Sequence, residues 1–241
     1  MNLHLNLRLA GPKEQPITNE FVVLTELLPF AGAEVLELGC GAAEKTRQIA
    51  ERTEVARILA TEVDQIQHAK NLLVTDLPKV EFQAFGAEAI VAPDASFDIV
   101  LMFKSLHHVP ESLMDQSFAE IYRVLKPGGL AYISEPVFEG EFNEVIRLFN
   151  DEEVVRKHAF AAIGRAITSG QFALVEERFF RNVVKFKSFA QVENGLINVT
   201  HTDRHVTADQ LKKIRERFEN FKRPEGHVFE VSNRVDLLRK I

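Results

Sequence analysis

Residues 34–46 read EVLELGCGAAEKT. The apolar run Val35, Leu36, Leu38 gives way to Gly39-Cys40-Gly41, and helix-forming residues follow. A strand, a glycine turn and a helix in this order open a nucleotide-binding α/β sheet. The glycines are needed because backbone must approach a ligand where a Cβ would fill the gap. The dinucleotide fingerprint G-x-G-x-x-G is incomplete, because its last position is Glu44. A bare G-x-G pair reads equally well as a plain turn.

The next strand, RILATE (57–62), ends in Glu62, 23 residues after Gly39. An acid placed there accepts hydrogen bonds from ribose hydroxyls, at the ~20-residue spacing of such folds. Asp64 competes for this role; its other reading is a helix N-cap. A pyrophosphate would lie against the helix N-terminus, where free N–H groups attract anions. Glu44 sits in that first turn, good for the helix dipole but repulsive to a diphosphate. Glu37 adds negative charge. A ligand with ribose and base but no phosphate is tolerated here, and one carrying an ammonium and a sulfonium is favoured.

Working outward, strand-like and helix-like segments alternate, which predicts a parallel sheet. Helices are expected at about 17–29, 43–52, 64–74 and 112–125, and strands at 35–38, 57–62, 80–85, 97–103 and 130–136. FDIVLMF (97–103) is nearly continuously apolar, as a central strand with both faces buried needs. Ser112 is the expected cap of the fourth helix, with Asp115 in its first turn, and KPGG (126–129) ends it. Beyond it, 141–168 reads as helical and 172–189 as one or two strands. Residues 207–222 read as a helix with a Thr207/Gln210 capping box. HVFEVSNRVDLLRK (227–240) is expected as an antiparallel strand at the sheet edge. Leu3, Leu5, Leu7 and Leu9 alternate as in a strand. The fold class is a Rossmann-like, doubly wound α/β sheet of seven strands, mostly parallel with an antiparallel edge strand, and helices on both faces. One domain, 1–241, is expected, with a cofactor core at about 30–137 and substrate-side elements at 1–29 and 138–205.

Composition narrows the function classes. The formal charge of −6 argues against a general nucleic-acid binder. Residues 1–140 hold 11 Lys+Arg against 20 Asp+Glu, while residues 141–241 hold 18 against 15, so the back portion is mildly basic. Cys40 is the sole cysteine, which rules out an intrachain disulfide and a cysteine-based metal cluster. The start of the chain reads unlike a signal peptide and no run has membrane-span length, so a cytoplasmic location is expected.

The stretches VLELGCGAAEKT, FDIVLMFKSLHHV and IYRVLKPGGLAYISEP, with their spacing, resemble class I S-adenosylmethionine-dependent methyltransferases, and most of all the ubiquinone- and menaquinone-biosynthesis type. The resemblance covers about residues 30–137. It implies S-adenosylmethionine (SAM) as cofactor. Glu37, Gly39, Cys40 and Gly41 would surround its methionine part, with a backbone carbonyl of the turn taking the ammonium. Glu62 would hold the ribose and Val63 would lie on the adenine. The Ala87 N–H would meet an adenine nitrogen, Glu88 would serve its amino group, and Lys104 would add a backbone contact. Two positions depart from the family pattern. Ala43 stands where a third glycine is frequent, and Gly86-Ala87-Glu88 lacks the usual aspartate.

A sulfonium methyl is already activated, so direct in-line displacement asks the protein mainly for orientation. His107 and Glu135 are the candidate catalytic groups. An imidazole after the fourth strand suits deprotonation of a hydroxyl, and its other reading is a structural loop histidine. Glu135 reads as a second base, an acceptor contact or a surface carboxylate. His201-x-Asp203-x-His205 can be drawn as a metal triad but reads better as solvated loop residues, so no metal site is expected. Phe138, Phe142, Phe149 and Phe160 read as core, with a substrate cover as the other possibility. The basic residues of 207–222 read as a solvated face. A small-molecule acceptor is expected, with a monomer or homodimer. An RNA methyltransferase, an NAD-dependent oxidoreductase (disfavoured by Glu44) and a non-catalytic SAM-binding protein stay open.

Overall fold

A computed structural model describes residues 7–198 and 206–241. The elements are, in chain order, α1 (Glu20–Leu27), β1 (Glu34–Leu38), α2 (Glu44–Arg52), β2 (Arg57–Thr61), α3 (Gln65–Asn71), β3 (Val80–Gln83), β4 (Phe97–Phe103), α4 (Met114–Val124), β5 (Leu125–Pro136), α5 (Gly140–Ile146), α6 (Glu153–Thr168), β6 (Phe172–Phe186), α7 (Phe189–Val192), α8 (Ala208–Glu219) and β7 (His227–Lys240). Of the alternating leucines near the start, Leu3 and Leu5 lie outside the described residues, and Leu7 and Leu9 belong to no strand.

Seven strands form one sheet in the order β3-β2-β1-β4-β5-β7-β6. The first five are parallel, and β7 runs antiparallel to both β5 and β6. The chain winds outward from β1 to β3 and then returns to the other side of β1 as β4. That reversal opens a crevice at the carboxyl ends of β1 and β4, where ligands bind in doubly wound sheets.

The nearly continuous apolar character of β4 has its cause in this position. Val100 and Met102 pack with Leu36, Leu38, Ala131 and Ile133 under α4 and α6. Ile99 and Leu101 pack on the opposite face with Val35, Tyr132, Val235 and Leu237, under α1 and α2. A strand covered on both faces leaves little place for a polar side chain, and the one β4 carries, Asp98, sits half-buried near its start.

Three expectations are corrected. The last strand is antiparallel, but it does not form the edge: β7 is inserted between β5 and β6, and β6 is the edge strand. A strand paired on both sides and covered on both faces explains the buried run Ser232–Leu238. Second, Ser112 caps nothing. Pro110 starts a 3₁₀ turn at Glu111–Leu113, with the Leu113 N–H on the Pro110 carbonyl at 2.8 Å, so the chain is already helical at Ser112. Third, KPGG does not precede the fifth strand but lies inside it as a bulge. The register jumps from Phe97↔Leu125 to Ile99↔Leu130, and Gly128 takes φ +75°. Lys126 at the bulge reaches Asp98 at 2.8 Å, and Asp98 also accepts the Glu34 N–H at 2.9 Å, tying β1, β4 and β5 together.

A third apolar cluster lies apart from the main sheet core. Val145, Phe189, Val192, Ile214, Phe218 and Phe229 join α5, α7 and α8 to β7. Phe142 belongs with them, stacked on Phe186 at 5.3 Å. The abundant phenylalanines thus build a core. The Thr207/Gln210 capping box opens α8 as expected.

Helix α2 begins without a side-chain cap, at Ala43 in the left-handed region (φ +58°). A left-handed alanine costs roughly 1–2 kcal/mol. Ala43→Gly should therefore raise the urea midpoint or leave it unchanged, with a gain of up to about 1 kcal/mol, whereas Ala→Gly inside a helix costs about that much. A loss of 1 kcal/mol or more would show that the strain is absent.

Candidate functional site

A cleft of about 580 Å³ opens at the carboxyl ends of β1 and β4. Its walls include Glu37, the Gly39–Ala42 turn, Glu44, Lys104 and Asn182. Gly39 and Gly41 have φ of +75° and +52°, a region that favours glycine. The two glycines differ in what surrounds them. A Cβ on Gly39 would stand 2.8 Å from the Ser105 Cβ, so this glycine is needed for packing between the ends of β1 and β4. Ser105 Oγ also donates to the Leu38 carbonyl at 2.8 Å. A Cβ on Gly41 would meet nothing within 4 Å, because this glycine borders the open cleft.

The turn is held at both ends of its second glycine. Glu62 Oε2 accepts the Gly41 N–H at 2.8 Å, and its other oxygen accepts the Asp64 N–H at 2.9 Å. Asn71, at the end of α3, donates to the Gly41 carbonyl at 2.8 Å. The Cys40 carbonyl accepts from the Ala43 N–H. The Gly39 carbonyl has no hydrogen-bond partner among the described residues.

The cleft is electrically negative. Glu20, Glu37 and Glu44 line it together with Lys45 and Lys104, and Glu62 stands behind Gly41. Glu37 is fully buried, with Thr46 Oγ1 donating to it at 2.7 Å. Burial raises its pKa to about 7, although the Thr46 bond and the Lys45 charge oppose the rise. Burial, followed by the charges of Glu37 and Glu62, pushes the Cys40 thiol far up, so it is a neutral packing residue. Lys104 opens onto the cleft and is exposed there, and partial loss of hydration pushes its ammonium below the ordinary lysine value. Its backbone is in the left-handed region (φ +55°), and its N–H donates to the Ser134 carbonyl at 2.7 Å.

Of the site residues expected from sequence, Glu37, Gly39, Cys40, Gly41 and Lys104 line the cleft, and Glu62 clamps it. Asp64 caps α3 through the Ile66 and Gln67 N–H groups, which is its structural reading. Val63 is 61% exposed beside Glu62. Ala87 is buried in the core cluster under β4, and the Glu88 carboxylate folds back over Gly86; neither lines the cleft. His107 and Glu135 are both buried and bonded to each other, Nδ1 to Oε2, and they too lie outside the lining. Glu135 is therefore not a surface carboxylate. The His201/Asp203/His205 triad lies outside the described residues. Sequence reasoning missed Asn71, Thr46, Ser105 and the cleft-lining residues Ile17, Glu20 and Asn182. Their spacing carries no motif, and only the fold brings them together.

The group that would occupy this turn is tested by its chemistry. Three carboxylates and a helix start bearing Glu44 do not suit a diphosphate, while the space beyond Gly41 and the unpartnered Gly39 carbonyl suit a cationic ligand. Residues 35–129 match the family described as a methyltransferase domain. Over this stretch the chain is similar to class I S-adenosylmethionine-dependent methyltransferases. It is 30% identical over 109 residues to a ubiquinone/menaquinone biosynthesis C-methyltransferase of Hydrogenovibrio crunogenus, a match covering 43% of this chain and 42% of that protein. It is 33% identical over 112 residues to the 27-O-demethylrifamycin SV methyltransferase of Amycolatopsis mediterranei, covering 44% of this chain and 40% of that one. These matches thus span under half the length of the curated relatives. The fold resembles that of the YcgJ protein of Bacillus subtilis, with a TM-score of 0.63 and 16% identity over 91% of this chain and 97% of that one. The family and fold imply SAM as cofactor. Among the described residues no helix is long and apolar enough to cross a membrane.

The raised pKa of Glu37 gives the family cofactor a pH signature. Below pH 7 the free protein holds Glu37 protonated, and a nearby cation favours the ionised form. Binding of SAM should release a proton, and affinity should rise roughly tenfold between pH 6 and pH 7.5. Calorimetry in buffers of different ionisation enthalpy measures both effects, and Glu37→Gln should flatten the profile. A pH-independent affinity would separate Glu37 from the cation.

Proposed function

We propose that this protein transfers a methyl group from SAM to a small-molecule acceptor bound in the same cleft. The observation that carries this reading is the carboxylate-lined glycine turn, with open space beside Gly41 and Glu44 in the helix turn where a diphosphate would lie. When bound, SAM supplies an electrophilic methyl on a sulfonium. Glu37 and the Gly39 carbonyl would hold the methionine end. Glu62, already fixed by two N–H groups, would use its remaining lone pairs for the ribose hydroxyls. Val63 would cover the adenine beside Glu62, with the Ala87 N–H and Glu88 on its rim. Lys104 would position the methionine end through its backbone.

The acceptor side supports a molecule of mixed polarity. Ile17, Phe103 and Val183 offer apolar surface, while Asn182 and Lys104 offer donors. Asn182 is held by the Asn233 amide at 2.6 Å. Binding that fixes nucleophile, methyl carbon and sulfur in line supplies most of what direct displacement needs. His107 and Glu135, buried together behind Lys104, would act as a proton-accepting pair for a hydroxyl acceptor. The basic residues of α8 give little support to an RNA acceptor: Arg217 and Arg215 face Glu144 and Glu193 at 3.4 and 3.6 Å.

Calorimetric titration with SAM, its demethylated product and NAD tests the cofactor, and a product assay with candidate acceptors tests the transfer. SAM and its product should bind with NAD silent; NAD binding, or none by SAM, would overturn the reading. Glu62→Gln should weaken SAM about 10–100-fold, the effect of a lost charged hydrogen bond. Unchanged affinity would move the ribose contact elsewhere.

A further inference from the structure

Beside the cleft, three nitrogen and oxygen donors converge that the cofactor reading does not use. A nitrogen of His107, a nitrogen of His108 and a carboxylate oxygen of Glu152 lie within 4.8 Å of one another. The histidines sit in the 3₁₀ turn Leu106–His108 after β4, and Glu152 immediately precedes α6. We propose that His107, His108 and Glu152 bind a divalent first-row transition metal of the zinc or iron(II) kind, with further coordination positions open.

The surroundings of His107 supply the second, independent observation. Its Nδ1 is bonded to Glu135 Oε2, and the other oxygen of Glu135 is fixed by the Leu106 N–H at 3.0 Å. A carboxylate that takes the Nδ1 proton leaves Nε2 with its lone pair, the arrangement that orients a ligating imidazole and raises its basicity. That Nε2 points at Glu152 Oε1 from 3.8 Å, beyond hydrogen-bond distance. In the tautomer with the proton on Nδ1, Nε2 and the Glu152 carboxylate face each other as two possible ligand atoms with a cation's room between them. Ligands on one ion with bonds near 2.1 Å stand roughly 3.0–3.4 Å apart, so the gap closes with a shift of a few tenths of an ångström. His108, exposed, can rotate to complete the set.

Glu152 is itself oriented. Arg156 donates to its Oε2 by two nitrogens and Asn150 to its Oε1. Two imidazoles and one carboxylate select zinc, iron or cobalt over magnesium or calcium, which prefer all-oxygen shells. The site adjoins the acceptor side: the Lys104 ammonium, which lines the cleft, feels the charges of both Glu135 and Arg156. A metal ion on Nε2 would replace the proton-accepting role of His107, and an acceptor oxygen in an open position would be made acidic by the ion instead.

The test needs neither SAM nor an acceptor, so it stands apart from the methyl-transfer reading. The full chain, stripped with a chelator, is titrated with Co²⁺ while its visible d–d absorption is followed. A single saturable equivalent is expected, displaced by Zn²⁺ and unaffected by excess Mg²⁺. His108→Ala and Glu152→Gln should each weaken it at least about tenfold, and Glu135→Gln by about 10–100-fold through the lost orientation of His107. His108 is exposed, so its variant tests the site without disturbing the core; circular dichroism checks each variant. Absence of saturable binding, or binding unchanged by His108→Ala and Glu152→Gln, would overturn the proposal and leave His107 clamped by protons alone.

Discussion

Gly41 is gripped from two sides, its N–H by the Glu62 carboxylate and its carbonyl by the Asn71 amide. A turn of two left-handed glycines is entropically expensive to order, since glycine loses more conformational freedom on folding than any other residue. The grip converts that freedom into a fixed shape. It also couples three elements, because Glu62 follows β2, Asn71 ends α3 and the turn ends β1. The parallel pairing of β1 with β2, from Glu34↔Arg57 to Leu38↔Thr61, brings Glu62 level with the turn. A slip of that register would point every β1 side chain to the wrong face and carry the carboxylate away from Gly41.

The same cleft sets up a conflict of charge. Glu37 is buried where an ionised carboxylate is costly, and Thr46 and Lys45 only partly relieve it. Below about pH 7 the free protein therefore keeps Glu37 protonated, and a cationic ligand would favour its ionised form. A buried carboxylate near neutrality is a poor stabilising device, as an apolar side chain of similar size would fold at least as well. Its placement under a glycine turn makes sense as a preformed counter-charge, kept dry so that the attraction is not screened by water.

The cofactor half of this picture was legible because it is local. Gly39, Gly41, Glu44 and Glu62 occupy one strand–turn–helix–strand unit, so their spacing in the chain is nearly their arrangement in space. Errors arose where local signals competed. Ser112 is a good capping residue, but Pro110 started the helical turn earlier. KPGG is a good turn, but its neighbours on both sides pair with β4, so it survives as a bulge. The last strand has the alternation of an edge, and nothing local announces that β6 will lie outside it. Asn71 could not be found from sequence at all, because an asparagine at a helix end is ordinary until the turn it supports is known.

The acceptor half is illegible for a different reason, rooted in how it is built. The segment before α1 is fastened to the edge strand partly by backbone: Thr18 N–H donates to the Arg181 carbonyl, and Arg181 N–H donates to the Pro16 carbonyl, both at 2.9 Å, while Arg8 pairs with Glu177 and the Arg181 guanidinium donates to the Lys13 carbonyl. This places Ile17 beside Val183 and Asn182 across more than half the chain. Main-chain hydrogen bonds accept almost any side chain, so this pairing imposes no motif on residues 16–18, whereas Asn19 is fixed as the N-cap of α1. The buried end of the wall is different. Tyr132 on β5 donates to Glu20 on α1 at 2.7 Å with both groups out of water, and neither can change alone without leaving an unsatisfied polar group. The cleft therefore joins a rear where a buried polar pair locks α1 to the sheet to a front where main-chain bonds at Pro16 and Thr18 leave the Ile17 side chain unspecified.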